Sequence, residues 1–203
     1  MRRWSNVAVL SGLLMFLGWT GSILSQGSQT IPSDSYQPFK DATQATVDQT
    51  SEAITHALYA WSALSRADLD GGKTHAHHVL NIIEGPQGSD YDASYGGPAQ
   101  DIGDGVGALV HAQQLLNMLT QAPPENSGTS YQIAAQNVVF FLQAAISHVL
   151  NALSSLKIGQ TDAAVQELRQ AQGLLMAARG SQEEKDRPTE GGARTILAWL
   201  ATL

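Results

Sequence analysis

The chain has 203 residues, with 18 acidic and 11 basic side chains, a formal net charge of −7, six histidines and no cysteine. That length supports one domain, or two small ones, with a real core, and the acidic balance argues against a nucleic-acid surface, which needs clustered Lys and Arg. The missing cysteine excludes disulfide scaffolds, thiolate zinc sites, iron–sulfur clusters, covalent c-type haem and cysteine nucleophiles.

Arg2 and Arg3 precede an apolar run from Val7 to Trp19, and small and polar residues follow. This is the three-part layout of a secretory signal over residues 1–25. The run is short for a membrane span, which takes about 20 apolar residues. Extension through Ile23 and Leu24 leaves an uncleaved N-terminal anchor as the alternative. The expected location is therefore outside the cytoplasm (periplasmic, extracellular or cell-surface), with membrane contact only through an uncleaved leader. Residues 26–38, with Pro32 and Pro38, read as a flexible tether.

From Phe39 the pattern is helical. Val47, Ile54, Leu58, Trp61 and Leu64 share one face of a helix expected to end at Asp70-Gly71-Gly72. A short helix is expected over Lys73–Glu84, then a loop over Gly85–Gly103 and a third helix over Asp104–Gln121, stopped by Pro123-Pro124. A long helix follows over Tyr131–Leu156. Gly159 breaks it, and Thr161-Asp162 offer a cap for a helix reaching Arg179. In the last segment, 193–203, Ile196, Leu197, Leu200 and Leu203 share a face. Nothing reads as a strand with hairpin chemistry, so the expected fold class is all-α.

At a constant offset of 92, residues 53–64 (AITHALYAWSAL) match residues 145–156 (AISHVLNALSSL), without a gap through Asp70/Asp162. The expected architecture is a bundle of two pseudo-repeated helical-hairpin units, about 39–121 and 131–203, in a single domain over 39–203. It would have four main helices and one or two shorter ones. Ala, Ser and Gln in place of charged residues suit helices that pack closely.

The histidines divide by position. His56 and His148 are equivalent in the two copies and lie away from the main apolar stripe, beside small residues that permit close helix approach. Each reads either as a half-buried imidazole bonded to a carbonyl or to Glu52, or as one of a symmetric pair of metal or haem ligands. The densest cluster is Thr74-His75-Ala76-His77-His78. His75 and His78, one turn apart, share a face, while His77 points away. Two neutral imidazoles so spaced can bind copper, zinc or nickel with a third ligand, for which Asp68 and Asp70 in the preceding turn, or the acids of the long loop, are candidates. Against that stands simple coverage of the core edge. With the turn centred near residue 71, His56 faces Gly85 and stands about 10 Å from His78 along the bundle axis at 1.5 Å per residue. One joint cluster is therefore not expected.

Asp90, Asp92, Asp101 and Asp104 lie among glycines, and Asp90 and Asp92 form a fragment of a calcium-type loop. The EF-hand spacing is absent, so capping of the next helix by Asp101 or Asp104 is the competing expectation. No ExxH pairs, HExxH, GxSxG, Walker A loop or dinucleotide fingerprint is present. Met118, Met176, His111 and His148 supply haem-type ligands, but nothing local pairs them. The resulting expectation is an exported, non-catalytic helical-bundle binding protein holding a divalent transition metal through its histidine cluster. The alternatives are a metal-free structural or protein-interaction module of the cell envelope, or a haem or metal cofactor protein.

Overall fold

The computed structural model describes residues 33–96, 103–124, 127–181, 189 and 191–203. Contacts group Met1–Ile31 and Pro32–Leu203 as separate units. The leader expected over residues 1–25 lies outside the described residues, as does Asp101. Within 26–38, Ser33–Tyr36 form a 3-10 turn that leads into the first helix.

Six α-helices and no strand are found among the described residues. They are α1 (Gln37–Ser65), α2 (Leu69–Glu84), α3 (Ala108–Gln121), α4 (Ser130–Lys157), α5 (Thr161–Arg179) and α6 (Ala193–Leu200). The all-α expectation holds. Helix α1 starts two residues ahead of Phe39 because Pro38 is tolerated in a first turn, where its missing N–H has no partner to lose.

Helix α1 packs against α2, α3, α5 and α6, and this central position decides which of its faces is deepest. Ala53, Ala57 and Ala60 are inaccessible, whereas Leu58, on the stripe expected to face the core, is 40% exposed. Several helices can approach one axis only where side chains are small. Thr43, Thr46 and Thr50 on the same helix are fully buried. Their hydroxyls donate to the carbonyls of Phe39, Ala42 and Thr46 at 2.6, 2.8 and 2.6 Å, so none of these three buried hydroxyls is left unpaired.

The first interhelical turn is not where the glycines suggest. Asp70-Gly71-Gly72 lie inside the first turns of α2, and the chain reverses over Arg66–Asp68. Ala67 takes the left-handed conformation, φ 62°, and the Asp68 carboxylate accepts from the Gly71 amide at 2.9 Å, capping α2. Gly72 is needed for contact rather than for bending. A Cβ there would stand 2.2 Å from Leu64 Cδ2 and 2.5 Å from Leu64 Cγ.

The α4–α5 turn repeats this geometry. Gly159 takes φ 75°, and three backbone hydrogen bonds recur at matched positions. Arg66, Ala67 and Asp68 donate to Ala63, Leu64 and Ala63, while Ile158, Gly159 and Gln160 donate to Ser155, Leu156 and Ser155. The expected Thr161-Asp162 cap is not formed: Gln160 occupies the cap position, without a side-chain bond.

Helix α4 is long and apolar enough to cross a membrane by length and composition. In the bundle its Ala135, Val138, Leu142, Ala145 and Val149 are buried, and it packs on α2, α3, α5 and α6. A second, smaller core joins Phe39, Leu115, Leu119, Ala135, Ile196 and Leu200. Tyr131 stacks on Trp199 at its edge, with ring centroids 3.9 Å apart.

Candidate metal centre

The early turn sets the register of the α1–α2 hairpin. His56 and His78 lie equally far from Ala67 along the chain, as do Tyr59 and His75, so each pair meets across the interface. His56 Nδ1 stands 3.1 Å from His75 Nδ1 and 3.2 Å from His78 Nδ1. Ligand atoms of all three histidines lie within 4.8 Å of one another. This corrects the expectation that His56 stands apart: taking residue 71 as the centre of the turn displaced the two helices by about two turns of 5.4 Å each.

The spacing suits a cation. Two nitrogens, each about 2.0–2.1 Å from a tetrahedral ion, are about 3.3 Å apart by the tetrahedral angle. The two short separations are close to that value. Protons satisfy the arrangement less well, because His56 Nδ1 would need to serve two neighbouring ring nitrogens at once.

Environment keeps the imidazoles neutral. Burial, then the neighbouring His78 and His75 rings, pushes His56 from 6.5 down to about 4. Burial also lowers His75, partly offset by Asp68. His78, only 4% exposed, is lowered by burial and by His75 and His77, against a hydrogen bond to the Tyr95 backbone that favours its charged form. Neutral rings present lone pairs at ordinary pH.

A loop holds the buried edge of this group. Asn81 Nδ2 donates to the Asp92 carbonyl, and Asn81 Oδ1 accepts from the Asp92 amide, both at 2.9 Å. Glu84 Oε2 accepts from the Asp90 amide at 2.8 Å. The loop so fastened carries Tyr95, whose ring stacks on His77 with centroids 3.9 Å apart and whose backbone bonds the His78 ring. Outer partners of this kind fix ligand orientation. Asn81, Glu84, Tyr95 and Tyr59 were not singled out by the sequence. Asn81 had a signal, a lone amide inside the apolar run Val79-Leu80-Asn81-Ile82-Ile83.

The remaining candidates fall elsewhere. Asp70 is exposed, lines a cavity of about 170 Å³ with Lys73 and Lys157, and stays outside the three-histidine group. The Asp68 carboxylate caps α2, and the third imidazole of the group comes from His56. His148 does not pair with His56; its Nδ1 lies 2.6 Å from Glu167 Oε2. His111 Nε2 bonds Asp104 Oδ2 at 2.5 Å. Burial opposes ionisation of Asp104, but the Val106 amide, His111 and the Gly107 amide together hold its carboxyl below the usual range. Asp104 thus braces the approach to α3, which begins at Ala108, four residues later than expected.

Among the described residues, Asp90 and Asp92 belong to no group of three or more possible metal ligands. Asp92 Oδ1 accepts from the Ser94 amide and hydroxyl, and Asp90 Oδ2 from the Ser89 hydroxyl. Both aspartates line a cavity of about 310 Å³ that Lys157 shares, so a cation there would meet a positive charge. Met176 is half exposed. Met118 lines a cavity of about 550 Å³ between α1 and α3 together with His111, whose Nε2 is already bonded to Asp104.

Comparison with known proteins finds no matching family model, no matching curated protein and no matching solved structure.

Proposed function

We propose that the protein is an exported, non-catalytic helical bundle that binds a divalent transition metal through His56, His75 and His78. The observation that carries this reading is the convergence of three neutral imidazoles across the α1–α2 hairpin, with Nδ1 atoms at 3.1 and 3.2 Å. An all-imidazole donor set suits copper, zinc or nickel over calcium or magnesium, which prefer oxygen. A fourth coordination position is left to water or to a side chain such as Tyr59, whose ring centroid is 5.3 Å from that of His75. Export is supported by the charged, apolar and polar succession of residues 1–25. We further read α1–α2 and α4–α5 as copies of one duplicated hairpin, on the strength of the 92-residue sequence match and the matched turns.

Titration of the full-length protein with Zn²⁺ or Cu²⁺ tests the metal reading. One equivalent bound at least as tightly as about 0.1 mM, or roughly 5.5 kcal/mol, and lost in His56→Ala and in His75→Ala/His78→Ala, is the expected result. Weaker binding, or binding indifferent to those substitutions, would overturn it.

A further inference from the structure

We propose that the cavity between α2, α4 and the loop after α2 binds a small zwitterion, an α-amino acid with an apolar side chain. Its volume of about 310 Å³ lies at the lower end of the usual range for small-molecule sites, which suits a single residue rather than a peptide. Its wall carries both charges. Lys157 comes from the last turn of α4, and Asp90 and Asp92 come from the loop. Among the described residues, ion pairs join His111 to Asp104 and His148 to Glu167, so Lys157 and the two aspartates border one space without neutralising each other. A cation alone would meet Lys157, and an anion alone would meet the two carboxylates. A molecule with an ammonium and a carboxylate a few atoms apart satisfies both walls.

Each end has polar partners in place. Ser154 stands one turn before Lys157 on α4 and lines the same cavity, so its hydroxyl joins the lysine ammonium in receiving the ligand carboxylate. His77 supplies a further donor on the α2 side. Its Nδ1 is buried with no partner. An orphaned lone pair is tolerated better than an orphaned N–H, so the ring proton belongs on Nε2. At the other end, Asp92 Oδ1 accepts from Ser94 and leaves Oδ2 for the ligand ammonium, with Asp90 adding a second negative charge beside it. Asn81 pins both backbone polar groups of Asp92, so this carboxylate is held ready before the ligand arrives. Leu80, Leu150 and Leu153 make the apolar part of the wall, against which an aliphatic or aromatic side chain packs. His56, His75 and His78 do not line this cavity, so the binding does not depend on metal.

Calorimetric titration of the full-length protein with L-leucine, L-valine, L-methionine and L-phenylalanine, in the presence of a chelator, tests the proposal. At least one of them is expected to bind as one equivalent with a Kd of about 1 mM or tighter. Lys157→Met should weaken that binding at least tenfold, and so should Asp90→Asn/Asp92→Asn. Lys157 is exposed, so its variant is expected to keep the wild-type fold. Ligand analogues make the same test on the unaltered chain. The amide of the bound amino acid, which lacks the carboxylate, and its deaminated acid, which lacks the ammonium, should each bind at least tenfold more weakly. Binding of none of the four amino acids overturns the proposal. So does undiminished binding of either analogue, or of the amino acid to Lys157→Met.

Discussion

His56 and His78 meet through the same ring atom, Nδ1 to Nδ1 at 3.2 Å, although they come from opposite sides of a turn. The closeness has a cost in acid. Unfolded histidines protonate near pH 6.5, whereas burial and the two neighbouring rings push His56 down to about 4 in the fold. Between those values the unfolded chain binds more protons, so stability falls as pH drops below about 6.5 and levels off near the folded value. Thermal melts without metal are expected to show Tm constant above pH 7 and lower by several degrees at pH 5. His56→Ala should flatten that slope, and a wild-type Tm unchanged between pH 7 and 5 would contradict the account.

Gly72 sets the distance between the two histidine-bearing helices. Alanine is the better helix former by about 1 kcal/mol, but here its Cβ would stand 2.2 Å from Leu64, itself only 3% exposed and unable to swing away. Overpacking of this kind costs about 1–3 kcal/mol, so the expected net effect of Gly72→Ala is destabilisation. It should also spread the ligands and weaken Zn²⁺ binding at least tenfold. Chemical denaturation and titration of the same variant read the two effects independently.

Asn81 is 3% exposed and exchanges two hydrogen bonds with the Asp92 backbone. Asn81→Ala leaves both backbone groups without that partner, at a cost of about 1–3 kcal/mol. It also frees the loop whose Tyr95 steadies His77 and His78. Loss of an outer partner typically weakens a metal site about tenfold or more. A variant that loses stability yet binds Zn²⁺ as tightly as the wild type would show that the loop is not coupled to the ligands.

Ala67 turns the chain with φ 62°, where the second hairpin uses Gly159 at 75°. An L-residue pays about 1–2 kcal/mol in the left-handed region, offset in part by the greater freedom of glycine in the unfolded chain. Ala67→Gly is therefore expected to stabilise the protein by about 0.5–1 kcal/mol. A gain in the denaturation midpoint with unchanged metal affinity is the result that fits a turn serving only to reverse the chain.

Helical periodicity reveals the six elements because long amphipathic segments dominate this chain, and α5 and the end of α3 fall where the pattern places them. The site was less legible, and one local feature explains why. Two adjacent glycines after an aspartate read as a helix stop, but Asp68 caps the helix in front of them and Gly72 is small to admit Leu64. Misplacing the turn shifts every facing pair in the hairpin, which hid His56 from His75 and His78. The buried face of α1 was read only in part: Val47 and Leu64 are buried as the stripe expects, but hydropathy also favours Leu58, whereas close approach favours Ala53, Ala57 and Ala60. The expected capping of α3 by Asp104 is not formed: Gly107 holds the cap position, and Asp104 accepts from the Val106 and Gly107 amides ahead of it.

The three histidines are divided between two helices, one donor from α1 and two from α2, and this division has a thermodynamic consequence. An unfolded chain would offer an ion only scattered imidazoles, so an ion held by the three histidines would prefer the closed hairpin and act as a clasp across it. At a free concentration one hundred times the dissociation constant, such preference adds about 2.7 kcal/mol to stability. Protease resistance, and with it the lifetime of the protein, should then rise and fall with the supply of metal around it.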